Sequence, residues 1–512
     1  MGCIWIKGIR YLVTCDDEDR MLEHADMVIK DREIVYIGKD AASAADGADS
    51  PREACAENGA ERDLKDCGFT KADLESAEVI DARHMAVYPG LVNTHHHLYQ
   101  IFTRNLPTTQ NMELFDWLRY LYEIWKKIDC EDVRLSTLVG VGELMKTGCT
   151  TVFDHHYVFP GELQGSRAGS LGAGGASRSV AWGVPSGSPK ECGLIDAQAE
   201  AAAQIGVRMH FSRGSMSLSK KDGGLPPDEV VQTTDEIIKD SERLIDKLQD
   251  PSRFSMSRIA LAPCSPFSVT KDLLVESARL ARAKHVRLHT HLAETKDEEN
   301  YMLERYGMRP LAYMEETGWL GSDVWFAHGI HFDDRELKLL ADTGTGVAHC
   351  PISNMKLSSG VARVPEMLRL GVPVGLAVDG SASNDGSNLL EEMRVCYLLH
   401  RLNSSSGAPS GYDCLKLATR GGARLLGRDD IGYLAEGMAA DLFMIDTRKL
   451  ELAGALADPR SVLATVGYKG SVDMTIVNGR VTVRDGKLTT IDEERIASEA
   501  NLSVEKLCNH AL

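Results

Sequence analysis

The chain has 512 residues, 43% hydrophobic and 26% charged, with a formal net charge of −18 at pH 7. That length can bury a large core, and the composition is ordinary for a soluble globular protein. The negative balance argues against nucleic-acid phosphates and anionic membrane surfaces as partners, and no apolar run reaches the ~20 residues needed to span a bilayer.

The opening residues, MGCIWIKGIR, lack the apolar core of a secretory signal. Twelve cysteines are scattered without a CxxC pair, so reduced thiols in a cytoplasm are expected rather than a disulfide framework. Ile4–Ile6, Met27–Ile29 and Glu33–Ile37, closed by Gly38, are predicted strands. Residues 41–76, rich in Ala, Asp, Glu and Cys, are expected to form a surface insertion.

Eight apolar stretches follow, each ending in polar residues: Val87–His97, Thr150–His155, Val207–Phe211, Ile259–Ala262, Val286–His291, Val324–His328, Gly346–His349 and Val374–Asp379. Helical patterns lie between them; Leu273–Ala283 and Asn388–Val395 both carry apolar residues at three-to-four spacing. Eight strands alternating with helices predict an α/β fold, a (β/α)₈ TIM-type barrel over residues 86–427. A Gly/Ser/Ala tract, residues 161–190, cannot bury much apolar surface and is expected as a flexible insertion. Because it leaves the end of strand 2, a lid over that face is the alternative. Asp441–Ile445, Val472–Val477, the Asn478-Gly479 turn and Arg480–Arg484 are hairpin signals. With the first strands they predict a small β-sandwich built from residues 1–85 and 428–512.

Such barrels gather their chemistry at the carboxyl ends of the strands, where His95, His97, His291, Glu294, His328 and Asp379 fall. In a strand, alternate side chains share a face, so His95 and His97 are expected to point together and His96 away. His291 is the expected third imidazole, and deeper His289 a hydrogen-bonded barrel histidine. Three histidines and Asp379, with a position left for water, suit one divalent metal ion per chain, Zn²⁺ first and Fe²⁺ as the alternative. Strand 4 ends Ala262-Pro263-Cys264-Ser265, without the lysine that commonly bridges two metals, so a mononuclear site is expected. The HxE…PCxxC deaminase signature, the phosphate loop and the serine elbow are absent. A metal lowers the pKa of water from 15.7 toward about 7. Asp379 can accept the proton and pass it to a leaving amine, Glu294 can protonate a ring nitrogen, and His328 can steady the attacking oxygen.

Tyr88–His97 (YPGLVNTHHH), Leu288–Thr295 (LHTHLAET), Ala327–Gly329 and Val378–Ser381 (VDGS) resemble the amidohydrolase superfamily, in its branch of purine, pterin and triazine aminohydrolases. The resemblance covers nearly the whole chain. His95–Gln100, Asp154–Tyr157, Arg213–Ser217 with Gly223–Asp228, and Gly380–Asp385 are similar to the group of 8-oxoguanine deaminase and hydroxyatrazine ethylaminohydrolase. The resemblance implies deamination of 8-oxoguanine to urate and ammonia. Isoxanthopterin, guanine or a related ring, or removal of an alkylamine from a hydroxytriazine, are the alternatives. It also implies a small heterocyclic substrate and a homo-oligomer. Gln100 and Arg213 are then candidates for holding the ring's edges and Trp117 for stacking on it. A supporting hydrogen bond for Gln100, an ion pair within the barrel for Arg213 and core packing for Trp117 stay open. Supporting roles are expected for His155 and His156, and a pocket-lining one for His349. The tract after Pro160 and the early insertion depart from the family's pattern.

Overall fold

The computed structural model describes residues 2–45, 68–160 and 193–508. Seven strands precede the barrel: β1 (Cys3–Ile9), β2 (Tyr11–Val13), β3 (Met21–Leu22), β4 (Ala25–Lys30), β5 (Glu33–Gly38), β6 (Glu78–Asp81) and β7 (Met85–Pro89). The barrel strands are β8 (Leu91–Asn93), β9 (Cys149–Phe153), β10 (Arg208–Ser215), β11 (Ser257–Pro263), β12 (Arg287–Leu292), β13 (Val324–His328), β14 (Gly346–His349) and β15 (Val374–Leu376). After them come β16 (Leu442–Asp446), β17 (Met474–Val477), β18 (Arg480–Arg484) and β19 (Lys487–Leu488).

Strands β8 to β15 pair in parallel in chain order, as a (β/α)₈ barrel requires. Between β15 and β8 side chains assist the closure: Thr94 Oγ1 donates to Leu376 O at 3.0 Å, and Val378 N to Asn93 Oδ1 at 3.0 Å. Helices fill the crossovers, several with the caps their sequences offer. Asn388 caps Leu389–Ser404, and Thr270 caps Lys271–Ala283, each accepting from backbone N–H groups of the first turn. Val92, Phe153, Ala260, Ala262, Trp325, Ala348 and Ala377 form one buried apolar cluster among the barrel strands.

Of the two remaining sheets, β5-β4-β1-β6 is wholly N-terminal, and β19-β18-β17-β16-β7-β2-β3 combines strands from both chain ends. Ile6, Met27, Ile29 and Ile80 of one sheet share a core with Leu12, Val87, Leu442, Met444 and Ile476 of the other. That shared core makes the pair a sandwich.

Two expectations are corrected. Val87–His97 is not one strand: β7 pairs with β16 and β2 in the sandwich, and only Leu91–Asn93 enters the barrel. The break is at Gly90, whose N–H bonds Asp441 O while Leu91 N–H turns to Gly148 O. A Cβ at Gly90 would lie 2.1 Å from Thr150 Oγ1, so the chain passes between domains where only hydrogen fits. Nor does the C-terminal part end in the sandwich, because helix Glu493–Cys508 packs on barrel helix Cys130–Lys146. Lys146 Nζ pairs there with Glu493 at 2.5 Å, and Ser503 donates to Asp132. Of the early insertion, Ala41–Ala45 and Lys71–Glu75 are short helices; residues 46–67 and the whole 161–190 tract lie outside the described residues. No helix among the described residues is long and apolar enough to cross a membrane, and the nine described cysteines are free thiols.

One buried ion pair joins barrel to sandwich. Arg208 at the start of β10 meets Asp441 at 3.0 and 3.1 Å and also donates to Asn478 and to backbone carbonyls of Phe254 and Ser255. Both side chains are almost wholly excluded from solvent. Removing one partner strands the other charge, so Asp441→Ala is expected to cost about 3–5 kcal/mol in urea unfolding. A loss below about 1 kcal/mol, the value of an exposed pair, would contradict this reading.

Candidate metal centre and active site

The barrel mouth is assembled from turns that immediately follow the strands. Beyond β8 the chain carries no regular secondary structure through Thr94–His97, so His95 and His97 are delivered by an irregular segment just past the strand. His291 is on β12 and His328 ends β13. Ala293 (φ 53°), His328 (φ 72°) and Asp379 (φ 61°) all adopt the left-handed backbone region without being glycine. Each such residue costs of order 1–3 kcal/mol. The backbone is held there by bonds such as Asp379 N–H to His95 O, 3.1 Å, and Gly329 N–H to Leu292 O, 3.1 Å.

The hydrogen bonds behind the imidazoles decide their tautomers. His97 Nδ1–H donates to His155 O at 2.7 Å and His291 Nδ1–H to Cys264 O at 2.6 Å. His289 Nδ1–H donates to Trp325 O at 2.9 Å, so its Nε2 accepts from His95 Nδ1–H at 2.8 Å. A carbonyl can only accept, so the Nε2 atoms of His95, His97 and His291 all carry bare lone pairs. They converge: His97 Nε2 lies 3.0 Å from His291 Nε2, and Asp379 Oδ1 lies 3.2 Å from His95 Nε2 and 3.3 Å from His97 Nε2. Burial, opposed by Asp379, pulls the His95 imidazole down to about 3, and burial holds His291 well below its ordinary value, so neither carries a proton at neutral pH. Acceptors facing acceptors in the interior repel, and a divalent cation is what satisfies them together. Three imidazoles and a carboxylate are a donor set that fits Zn²⁺ or Fe²⁺.

Asp379 Oδ2 accepts from Ser353 Oγ at 2.6 Å and Ser383 Oγ at 3.2 Å, which orients Oδ1 toward the imidazoles. His328 Nδ1–H donates to Asn354 Oδ1 at 2.9 Å, turning Nε2 toward Glu294 Oε2, 3.5 Å away. Burial raises the Glu294 carboxyl above its ordinary value. For His328, burial opposes the charge, but Glu294 and Asp379 outweigh it and the imidazole is raised. Two adjacent groups whose proton affinities are both raised can hold a proton between them and deliver it to a developing anion.

A pocket opens onto these groups, lined also by Gln100, Trp117, Leu114, Tyr157, Phe267 and Leu357. Gln100 Oε1 and Trp117 Nε1 are buried there without a hydrogen-bond partner among the described residues. Gly380 leaves room for that amide: a Cβ would fall 1.9 Å from Gln100 Oε1. Arg213, the other candidate for the ring's edge, is placed against other protein groups. Its guanidinium is buried in an ion pair with Asp240 (2.7 Å), donates to Gln232 (2.8 Å) and Gly214 O, and stacks 3.9 Å over Phe159. With each of its three nitrogens engaged in a bond, and not among the residues lining this pocket, it fits the ion-pair alternative.

His155 and His156 bond backbone carbonyls, of Ala262 at 2.7 Å and Val158 at 2.9 Å. His349 is not in the pocket wall; it faces His400, 3.2 Å away. Ser353, Asn354 and Ser359 escaped the sequence reading, although all three follow His349-Cys350-Pro351 within ten residues, and Ser383 entered it only as part of the Gly380–Asp385 motif, without a role. The signal was there: hydroxyl and amide side chains just past a strand end on the catalytic face.

The Amidohydrolase family model matches residues 86–482. The chain is 44% identical to the 8-oxoguanine deaminase of Pseudomonas aeruginosa over 416 residues, 81% of this chain and 86% of the relative. It is 39% identical to the hydroxydechloroatrazine ethylaminohydrolase of Pseudomonas sp. strain ADP, over 96% of this chain and 93% of that one. Among solved structures, atrazine chlorohydrolase TrzN from Arthrobacter aurescens TC1 complexed with zinc superposes with a TM-score of 0.82 at 32% identity, covering 98% of this chain and 100% of that chain.

Proposed function

This chain belongs to the amidohydrolase family, and from that premise we propose that it is a zinc-dependent aminohydrolase that converts 8-oxoguanine and water to urate and ammonia. The observation that carries the reading is the convergence of three bare imidazole nitrogens and one carboxylate oxygen beside the Glu294–His328 pair. His95, His97, His291 and Asp379 would hold one divalent ion, which when bound supplies hydroxide at neutral pH.

The rest of the chemistry belongs to the chain. Asp379 Oδ1 takes up the proton that the nucleophile gives away, and later returns it to the departing amino group. Glu294, whose buried site favours its protonated form, donates to the ring nitrogen beside the attacked carbon as that carbon becomes tetrahedral. His328 Nε2–H steadies the attacking oxygen. Gln100 Oε1 accepts from a ring N–H, and Trp117 Nε1–H meets a ring acceptor; each unpartnered atom thereby gains a partner. Leu114, Phe267 and Leu357 press on the ring's apolar faces.

The choice of substrate is supported by the relative that is 44% identical and by a pocket with one acceptor and one donor at hand. Measuring kcat/KM for 8-oxoguanine, guanine and isoxanthopterin on one purified sample tests it. 8-Oxoguanine is expected to lead by roughly 10–100-fold, the discrimination that a few pocket contacts supply. If it is a poor substrate, the assignment fails. A second reading, removal of an alkylamine from a hydroxytriazine, is favoured by the 39% identity that runs over 96% of the chain. Faster release of ethylamine from a hydroxytriazine than of ammonia from 8-oxoguanine would select it.

A further inference from the structure

Behind the catalytic mouth, on the far side of β14, a second group of soft and borderline ligands is buried. His349 ends β14, while Cys396 and His400 sit four residues apart on one face of helix Leu389–Ser404. All three are fully buried, and one ligand atom from each lies within 4.8 Å of the other two. The two rings approach with Nε2 atoms 3.2 Å apart, and the Nδ1 atom of each has no hydrogen-bond partner among the described residues. Neutral imidazoles in this arrangement share one proton between them, so one ring keeps a bare lone pair in the interior. Cys414 Sγ lies 3.9 Å from Cys396 Sγ, ready to donate a hydrogen bond to a thiolate there.

We propose that His349, Cys396 and His400 form a second metal site, structural in role, for a borderline or soft divalent ion such as Zn²⁺. Two imidazoles and one thiolate are ligands such ions take, and the 3.2 Å nitrogen separation suits two ligands on one tetrahedral centre at Zn–N distances of about 2.0–2.1 Å. On binding, the Cys396 S–H bond breaks and its proton leaves to solvent, while the proton held between the two Nε2 atoms moves to the bare Nδ1 of its own ring, so that the sulfur and both Nε2 atoms become ligands. The ion would tie β14 to the helix whose Glu392, one turn before Cys396, accepts from Ile352 N–H at 3.2 Å and Asn384 Nδ2 at 2.5 Å. That segment also carries Ser353 and Asn354, which orient Asp379 and His328. The second site thus stiffens the support of the first without touching substrate.

Cobalt is the test, because thiolate ligation gives Co²⁺ an intense near-ultraviolet charge-transfer absorption that the sulfur-free set of His95, His97, His291 and Asp379 cannot give. The full chain produced in cobalt-supplemented medium is expected to show that absorption, and Asp379→Asn to keep it. Cys396→Ser and His400→Gln are expected to lose it, with one equivalent of cobalt fewer per chain than the parent. If Cys396→Ser does not fold, His400→Gln carries the comparison. Absence of the absorption from the parent, or its survival in either folded variant, overturns the proposal. Neither outcome depends on what the barrel mouth hydrolyses.

Discussion

Replacing Asp379 by Asn is expected to lower kcat on the best substrate by ~10³-fold or more. A lost proton shuttle alone accounts for about 10²–10⁴, and the change also removes the carboxylate charge facing the imidazoles. The fold should survive. The asparagine is isosteric: its amide oxygen can keep the bond that Gly380 N–H now gives Oδ1 at 2.7 Å, while Nδ2 meets the hydroxyls of Ser353 and Ser383, which accept as well as donate. Steady-state kinetics and a thermal melt on the same preparation check both halves. Turnover within tenfold of the parent, in a variant that melts normally, would remove Asp379 from the mechanism.

The second large effect is expected from stripping the metal. A chelator should abolish turnover, and added Zn²⁺ should restore it. An ion at ~1,000 times its dissociation constant stabilises the folded chain by about 4 kcal/mol. At the ~2 °C per kcal/mol appropriate to a large chain, the melting temperature should fall by roughly 8 °C. Measuring the shift in Cys396→Ser keeps the second proposed ion out of the comparison. Turnover that persists through exhaustive chelation would contradict a metal-dependent reaction. Reloading with Fe²⁺ beside Zn²⁺ then tells which ion supports the faster reaction, since imidazole accepts both.

The barrel was legible because each strand announces itself twice, by its apolar run and by the polar residue that ends it. Thr150–His155, Val324–His328 and Gly346–His349 fall within a residue or two of β9, β13 and β14. The first stretch misled because Val87–Tyr88 and Leu91–Val92 are equally apolar. Nothing local says that the former pair with Phe443 and Met444 in another sheet. The donors behind the ligands were less legible. Ser353, Asn354 and Ser383 are common polar residues whose significance lies in the atoms they face across the barrel.

Local pattern alone therefore determined the alternating architecture and the family, since periodicity and short motifs are written in consecutive residues. Tertiary structure decided which way each imidazole's proton points, because the carbonyls of Cys264, Trp325 and His155 arrive from other βα units of the barrel. It also decided that Arg213 belongs to Asp240, 27 positions away in sequence. A guanidinium in a one-dimensional string is simply a charge; its partner exists only once the chain has closed around it.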